Sequence, residues 1–120
     1  MHAIAAYGGV PCHDPRAFAR VPLADPVPGP HDLLVRVEAL AVNPVDAKVR
    51  AGLPAPGELV GRPPRLLGWD AAGTVEAVGS AVERFAPGEP VWFAGDINRP
   101  GCYAELRSEE HTSELQSHSD

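Results

Sequence analysis

Residues 40–52 read Leu-Ala-Val-Asn-Pro-Val-Asp-Ala-Lys-Val-Arg-Ala-Gly, and they hold the best-placed chemical groups in the chain. An apolar run ends at Val42, the carboxamide of Asn43 stands at its exit, and Asp46, Lys48 and Arg50 follow. Pro44 lacks a backbone donor and has a fixed φ, which suits the first position of a short helix, and Gly52 supplies the stop. A strand end feeding a helix start brings a carboxamide, a carboxylate and free backbone N–H groups to one point. Such a point can bind and orient a ligand through hydrogen bonds. Within the helix, Asp46 either orients a neighbouring group or pairs with Arg50 at helical spacing.

The cysteines carry less. Cys12 and Cys102 are far apart, fit no metal-ligand spacing and read as reduced thiols. Cys12 stands beside His13, and neighbours on an extended chain point to opposite faces, so the two do not make a nucleophile pair.

The elements that must position these groups are short strands. Residues 3–7 form an apolar strand closed by Gly8 and Gly9, and the prolines between residues 11 and 30 leave only extended or edge segments, with a turn near residues 14–16. In residues 33–42, Leu33, Val35, Val37, Ala39 and Ala41 fall on one face, with Arg36 and Glu38 on the other, the alternation of a half-buried strand. Residues 53–64 read as a loop, residues 71–78 as a strand in which Gly73 allows a bulge or a close backbone approach, and residues 91–94 and 102–106 as two further strands. Short strands, Gly/Pro turns and one short helix indicate a mostly β, barrel-like domain.

With 120 residues, 44% hydrophobic and 22% charged, the chain is sized for one globular domain. A formal charge of −6 with no basic stripe excludes a nucleic-acid backbone as partner. No apolar run approaches membrane-spanning length and no secretory signal opens the chain, so the expected location is the cytoplasm. No Gly-x-Gly-x-x-Gly or phosphate loop follows a strand, so these residues contain no independent dinucleotide site.

Residues 107–120 differ from the rest. All 12 glycines, all 14 prolines and every aromatic residue precede Arg107, and the segment holds Leu115 as its one apolar residue. It resembles the translation of a sequencing adapter joined to a gene fragment, and is set apart as a non-native tail behind a domain of residues 1–106. The native protein is then expected to continue past Leu106.

Four motifs in order, Val42 to Asp46 with Gly52, Leu67-Gly-Trp-Asp-Ala-Ala-Gly73 continuing to Gly79, Pro87-Gly-Glu-Pro-Val91, and Gly101-Cys-Tyr-Ala-Glu105, resemble the N-terminal GroES-like domain of the medium-chain dehydrogenase/reductases. The branch most similar is that of zinc-type alcohol dehydrogenase-like proteins related to quinone oxidoreductases. The resemblance implies a partly open GroES-like β-barrel with a short helix, the family's α/β Rossmann domain being absent from this chain. It also implies NADPH, bound mainly by the missing domain, and a homodimer when full length.

Carried over residue by residue, the resemblance places a thiolate of the zinc enzymes at Asn43 and an imidazole at Trp69. A neutral amide and an N–H donor cannot replace them as metal ligands. The relay hydroxyl falls at Val45 and the relay imidazole at Lys48, and only Cys102 follows where a cysteine-rich structural zinc loop would lie. No zinc is therefore expected. Without that Lewis acid, quinones and activated alkenes are the easier hydride acceptors, because their charge delocalises. The expected reaction is NADPH-dependent reduction of a quinone or an α,β-unsaturated carbonyl, with zinc-type alcohol dehydrogenase activity or a non-catalytic GroES-like binding module as alternatives; the truncated chain alone is expected to be inactive.

The expected catalytic residues are Asn43, Asp46, Trp69 and Asp70. Asn43 donates to the nicotinamide or substrate carbonyl or caps the helix, and Asp70 stands behind it. Trp69 walls the pocket or packs in the core. Lys48 reaches a cofactor phosphate or ribose, or is a solvated charge. Phe93 and Tyr103 line the substrate cleft or pack in the core.

Overall fold

A computed structural model describes residues 1–58, 64–110 and 115–117. Among these the chain forms β1 (His2–Ala6), β2 (Phe18–Pro22), β3 (Asp32–Ala41), α1 (Pro44–Ala51), β4 (Arg65–Leu66), β5 (Asp70–Val78), β6 (Pro90–Ala94), β7 (Leu106–Glu110) and β8 (Leu115–Ser117). The expected mostly β chain with one short helix is what the structure shows. No helix among the described residues is long and apolar enough to cross a membrane.

The strands pair antiparallel in two sheets, one ordered β2-β1-β4 and the other β7-β3-β5-β6-β8. The main core is drawn from the five-stranded sheet, with Leu33, Val35, Val75, Val91 and Phe93, together with Cys102, each with at most 2% of its surface exposed. Each large apolar side chain buried there contributes about 1.5–3 kcal/mol relative to exposure. A second cluster of Ala6, Leu67 and Trp69 packs under α1 through Val45 and Val49. This cluster seats the helix start against the sheet.

Gly73 sits where β5 passes β3. A Cβ added there would lie 2.0 Å from the Arg36 carbonyl oxygen, so the close backbone approach expected at this glycine is made. In β3 the alternation holds only as far as Val37. Val37 pairs with Gly73 and Ala39 with Ala72, which leaves Glu38 as an extra residue, and a second shift lies between Leu34 and Val35. Beyond the bulge Ala39, Leu40 and Ala41 are all exposed, so the core face of Leu33 and Val35 is not continued to the end of the strand.

The strand expected over residues 102–106 begins at Leu106 instead. Residues 102–105 are held from two sides: Cys102 and Tyr103 donate to the Gly68 and Leu67 carbonyls, while the Ile4 N–H donates to Tyr103 O and Glu105 N–H to His2 O. Competing partners on both flanks keep the segment out of a regular ladder. The two-residue β4, pairing with β1, has no signal in the sequence. Of the loop expected over residues 53–64, residues 59–63 lie outside the described residues.

Arg107 to Glu110 of the segment set apart in the sequence pair with β3, and Leu115 to Ser117 with β6. Strand ladders are made by backbone groups that every non-proline residue carries, so this pairing is independent of where the residues came from.

Candidate functional site

β3 runs out at Ala41 and α1 begins at Pro44, with Asn43 between them in an extended conformation (φ −124°, ψ 159°) as the N-cap. Asn43 and Asp46 form a capping box. Its Asp46 arm is the main-chain N–H of Asn43 donating to Asp46 Oδ2 at 3.2 Å. The Asn43 amide nitrogen donates to Asp70 Oδ2 at 2.7 Å, at the first residue of β5. The carboxamide is thus held between the helix start and the neighbouring strand. Helix capping and the bond to Asp70 coexist in this one residue.

Asp46 is almost wholly buried. Its Oδ2 also accepts the Tyr103 hydroxyl at 2.8 Å, while its Oδ1 has no partner among the described residues. Arg50 does not serve as its counter-charge. That guanidinium donates instead to the Val10 carbonyl at 2.7 Å and lies 5.4 Å over the Phe18 ring, tying α1 to the loop after β1.

Tyr103 stands over Gly68, whose φ of +92° is open to glycine at little cost. A Cβ at residue 68 would lie 2.5 Å from two ring carbons of Tyr103 and 2.9 Å from Cys102 Sγ. Burial, and next the Asp46 carboxylate that accepts its hydroxyl, push the Tyr103 phenol above its ordinary value. Tyr103 therefore stays a neutral donor. Burial likewise pushes the Cys102 thiol up to about 11, and its Sγ donates to the Asp70 carbonyl at 3.6 Å.

The structure brings Asn43, Asp46, Asp70 and Tyr103 into one hydrogen-bonded cluster. Trp69 is buried beside Tyr103 in the cluster under α1, its indole N–H without a partner among the described residues. Lys48 is exposed on α1, outside that network. Phe93 is 2% exposed and belongs to the core. An open groove of about 580 Å³ borders Tyr103 and Val42, with Ile4, Leu40 and Glu105 among its walls; a second, of about 380 Å³, runs past Asp70, Phe93 and Trp92. The two expected pocket aromatics thus flank different grooves.

The donors do not suit a tetrahedral zinc. Asn43 offers a neutral amide already engaged with Asp70, and Trp69 offers only a donor. Among the described residues no group of three or more His, Cys, Asp or Glu side chains is placed to hold a metal ion.

Sequence reasoning missed the bond from Tyr103 to Asp46. The partners are 57 residues apart, so no local period signals it.

Residues 29–117 match the family described as the alcohol dehydrogenase GroES-like domain. A zinc-type alcohol dehydrogenase-like protein of Staphylococcus aureus is 47% identical over 79 residues, 66% of this chain and 22% of the relative. A quinone oxidoreductase of Pseudomonas aeruginosa is 41% identical over 104 residues, 85% of this chain and 28% of the relative. Among solved structures, the Escherichia coli quinone oxidoreductase complexed with NADPH superposes with a TM-score of 0.72 at 27% identity, over 92% of this chain and 31% of that one. The chain spans about a quarter of the length of the curated relatives it matches.

Proposed function

The chain belongs to the alcohol dehydrogenase GroES-like domain family, and from that membership we propose that it supplies the N-terminal part of an NADPH-dependent oxidoreductase reducing quinones or α,β-unsaturated carbonyls without zinc. The observation that carries the reading is the Asn43 carboxamide, fixed at 2.7 Å to Asp70 at the point where a zinc enzyme of this family would present a thiolate. A site built of a neutral amide and an indole favours acceptors whose charge delocalises over their own π-system.

NADPH, when bound, supplies the hydride; most of its contacts fall to residues beyond this chain. Within the chain, Asn43 is the group that meets the nicotinamide or the substrate carbonyl, and Lys48 carries the exposed positive charge for a phosphate or ribose. Asp46 and Asp70 fix Asn43, and Trp69 walls the site. The substrate enters along the open groove walled by Ile4, Leu40 and Val42, next to Asn43 in the chain. A homodimer in the cytoplasm, with residues 107–120 replaced by native sequence, completes the proposal.

The test begins with sequencing the locus across the codon for Leu106, where the frame is expected to continue into a glycine-rich dinucleotide fold. The chain extended to its relatives' length should then oxidise NADPH with a quinone equally well with and without a chelator. Zinc-dependent alcohol oxidation, or a natural stop after the tail, would overturn the reading.

A further inference from the structure

We infer that Tyr103 is a positioning residue, acting through Asp46 to hold Asn43 in place rather than touching substrate. The inference rests on the reading of Asn43 given above and assigns to Tyr103 a different task from lining the cleft.

The backbone of Tyr103 is pinned from both sides, its N–H donating to Leu67 O at 3.0 Å and its carbonyl accepting the Ile4 N–H at 2.8 Å. Its ring rests where Gly68 leaves no room for a methyl group. A side chain so restricted delivers its hydroxyl to one point, and at that point lies Asp46 Oδ2 at 2.8 Å. The same oxygen takes the Asn43 main-chain N–H at 3.2 Å. Asp46 is 3% exposed and its second oxygen has no partner among the described residues, so the Tyr103 hydroxyl is the side-chain donor that fixes this carboxylate. A buried carboxylate that loses such a donor is poorly satisfied and shifts to find another. Asn43 shifts with it, because its main-chain N–H is bound to that carboxylate and its carbonyl accepts the Asp46 N–H at 2.9 Å.

The test uses the 120-residue chain labelled with nitrogen-15. It has three side-chain carboxamides, Asn43, Asn98 and Gln116, so the Asn43 pair is readily followed. Tyr103→Phe is expected to displace the Asn43 carboxamide signals and to speed exchange of the Asn43 main-chain N–H about ten-fold more than that of Val75, which donates to Glu89 O far from the site. Tyr7→Phe is expected to leave both unchanged. Unmoved Asn43 signals, or equal acceleration at Asn43 and Val75, would overturn the inference. Where Tyr103→Phe fails to fold, Gly68→Ala, whose added Cβ would meet the Tyr103 ring and leaves Asp46 and Asn43 themselves unaltered, gives the same readout.

In the extended protein, Tyr103→Phe should lower kcat about ten-fold and leave the quinone KM within about two-fold. A raised KM at unchanged kcat would place Tyr103 against the substrate and refute it. If the extended protein does not oxidise NADPH, the functional reading fails while the resonance experiment still decides whether Tyr103 holds Asn43.

Discussion

Gly68→Ala isolates what the ring of Tyr103 contributes, because the structure supplies its own control. Gly68 and Gly88 have nearly the same φ, +92° and +90°, but a Cβ at residue 88 would meet nothing within 4 Å. At residue 68 it would meet Tyr103 ring carbons at 2.5 Å and Cys102 Sγ at 2.9 Å. Each substitution carries the left-handed backbone cost, about 1–2 kcal/mol for an L-residue. Only Gly68→Ala must also push the Tyr103 ring aside. That breaks the hydroxyl's bond to the Asp46 carboxylate, about 1.5–3 kcal/mol for a hydrogen bond to a charged group. Gly68→Ala should therefore cost about 2.5–5 kcal/mol and Gly88→Ala about 1–2, a gap of about 1.5–3 kcal/mol. Urea unfolding followed by tryptophan fluorescence measures both, with stability taken from midpoint and slope. In a Tyr103→Phe background the gap should shrink, since the hydrogen bond is already gone. If Gly68→Ala costs no more than Gly88→Ala, within about 0.5 kcal/mol, the ring is not held as described and the reasoning fails.

Two further outcomes concern the buried titratable groups. The folded chain holds the Cys102 proton up to about 11, against an ordinary thiol value of 9.0, and Tyr103 is raised in the same direction. The native state therefore binds these protons where the unfolded chain has released them, so stability is intact below pH 9 and falls as pH rises toward 11. Unfolding free energies from urea titrations at pH 8 and 10.5 should differ by about 2 kcal/mol, and a flat profile would contradict the burial of Cys102. At pH 8 an aromatic disulfide reagent should titrate one thiol quickly, the exposed Cys12, and reach Cys102 only after denaturant is added.

Much of the fold was legible because its signals are local. Alternation from Leu33 to Val37, Pro44 opening a helix behind Asn43, and Gly73 at a crossing of strands each depend on residues within one turn or one pairing. What escaped was decided across the chain. The extra residue at Glu38 becomes visible only against β5, with which it is out of step. Cys102 and Tyr103 have the composition of a strand, yet their backbone groups are taken by Gly68, Leu67 and Ile4. At the site the same division holds: the residue types at Asn43, Asp46 and Asp70 could be named from the chain, whereas the partner of Asp46 lies 57 residues away.

The bulge in β3 bears on how this site could be re-aimed. Ala39, Leu40 and Ala41 are paired with Ala72, Ala71 and Asp70 in a register one step removed from that of Val37 and Gly73. Asn43 leaves the sheet from this shifted half. Removing Glu38 would make the ladder continuous, Val37 with Gly73 and Ala39 with Ala72, and leave each residue beyond it opposite its present partner. What the extra residue supplies is a local bend and a stronger twist, so it sets the angle at which Asn43 leaves the sheet without changing the chemistry of a single side chain. For this strand, therefore, the number of residues, as well as their identity, bears on the aim of the carboxamide.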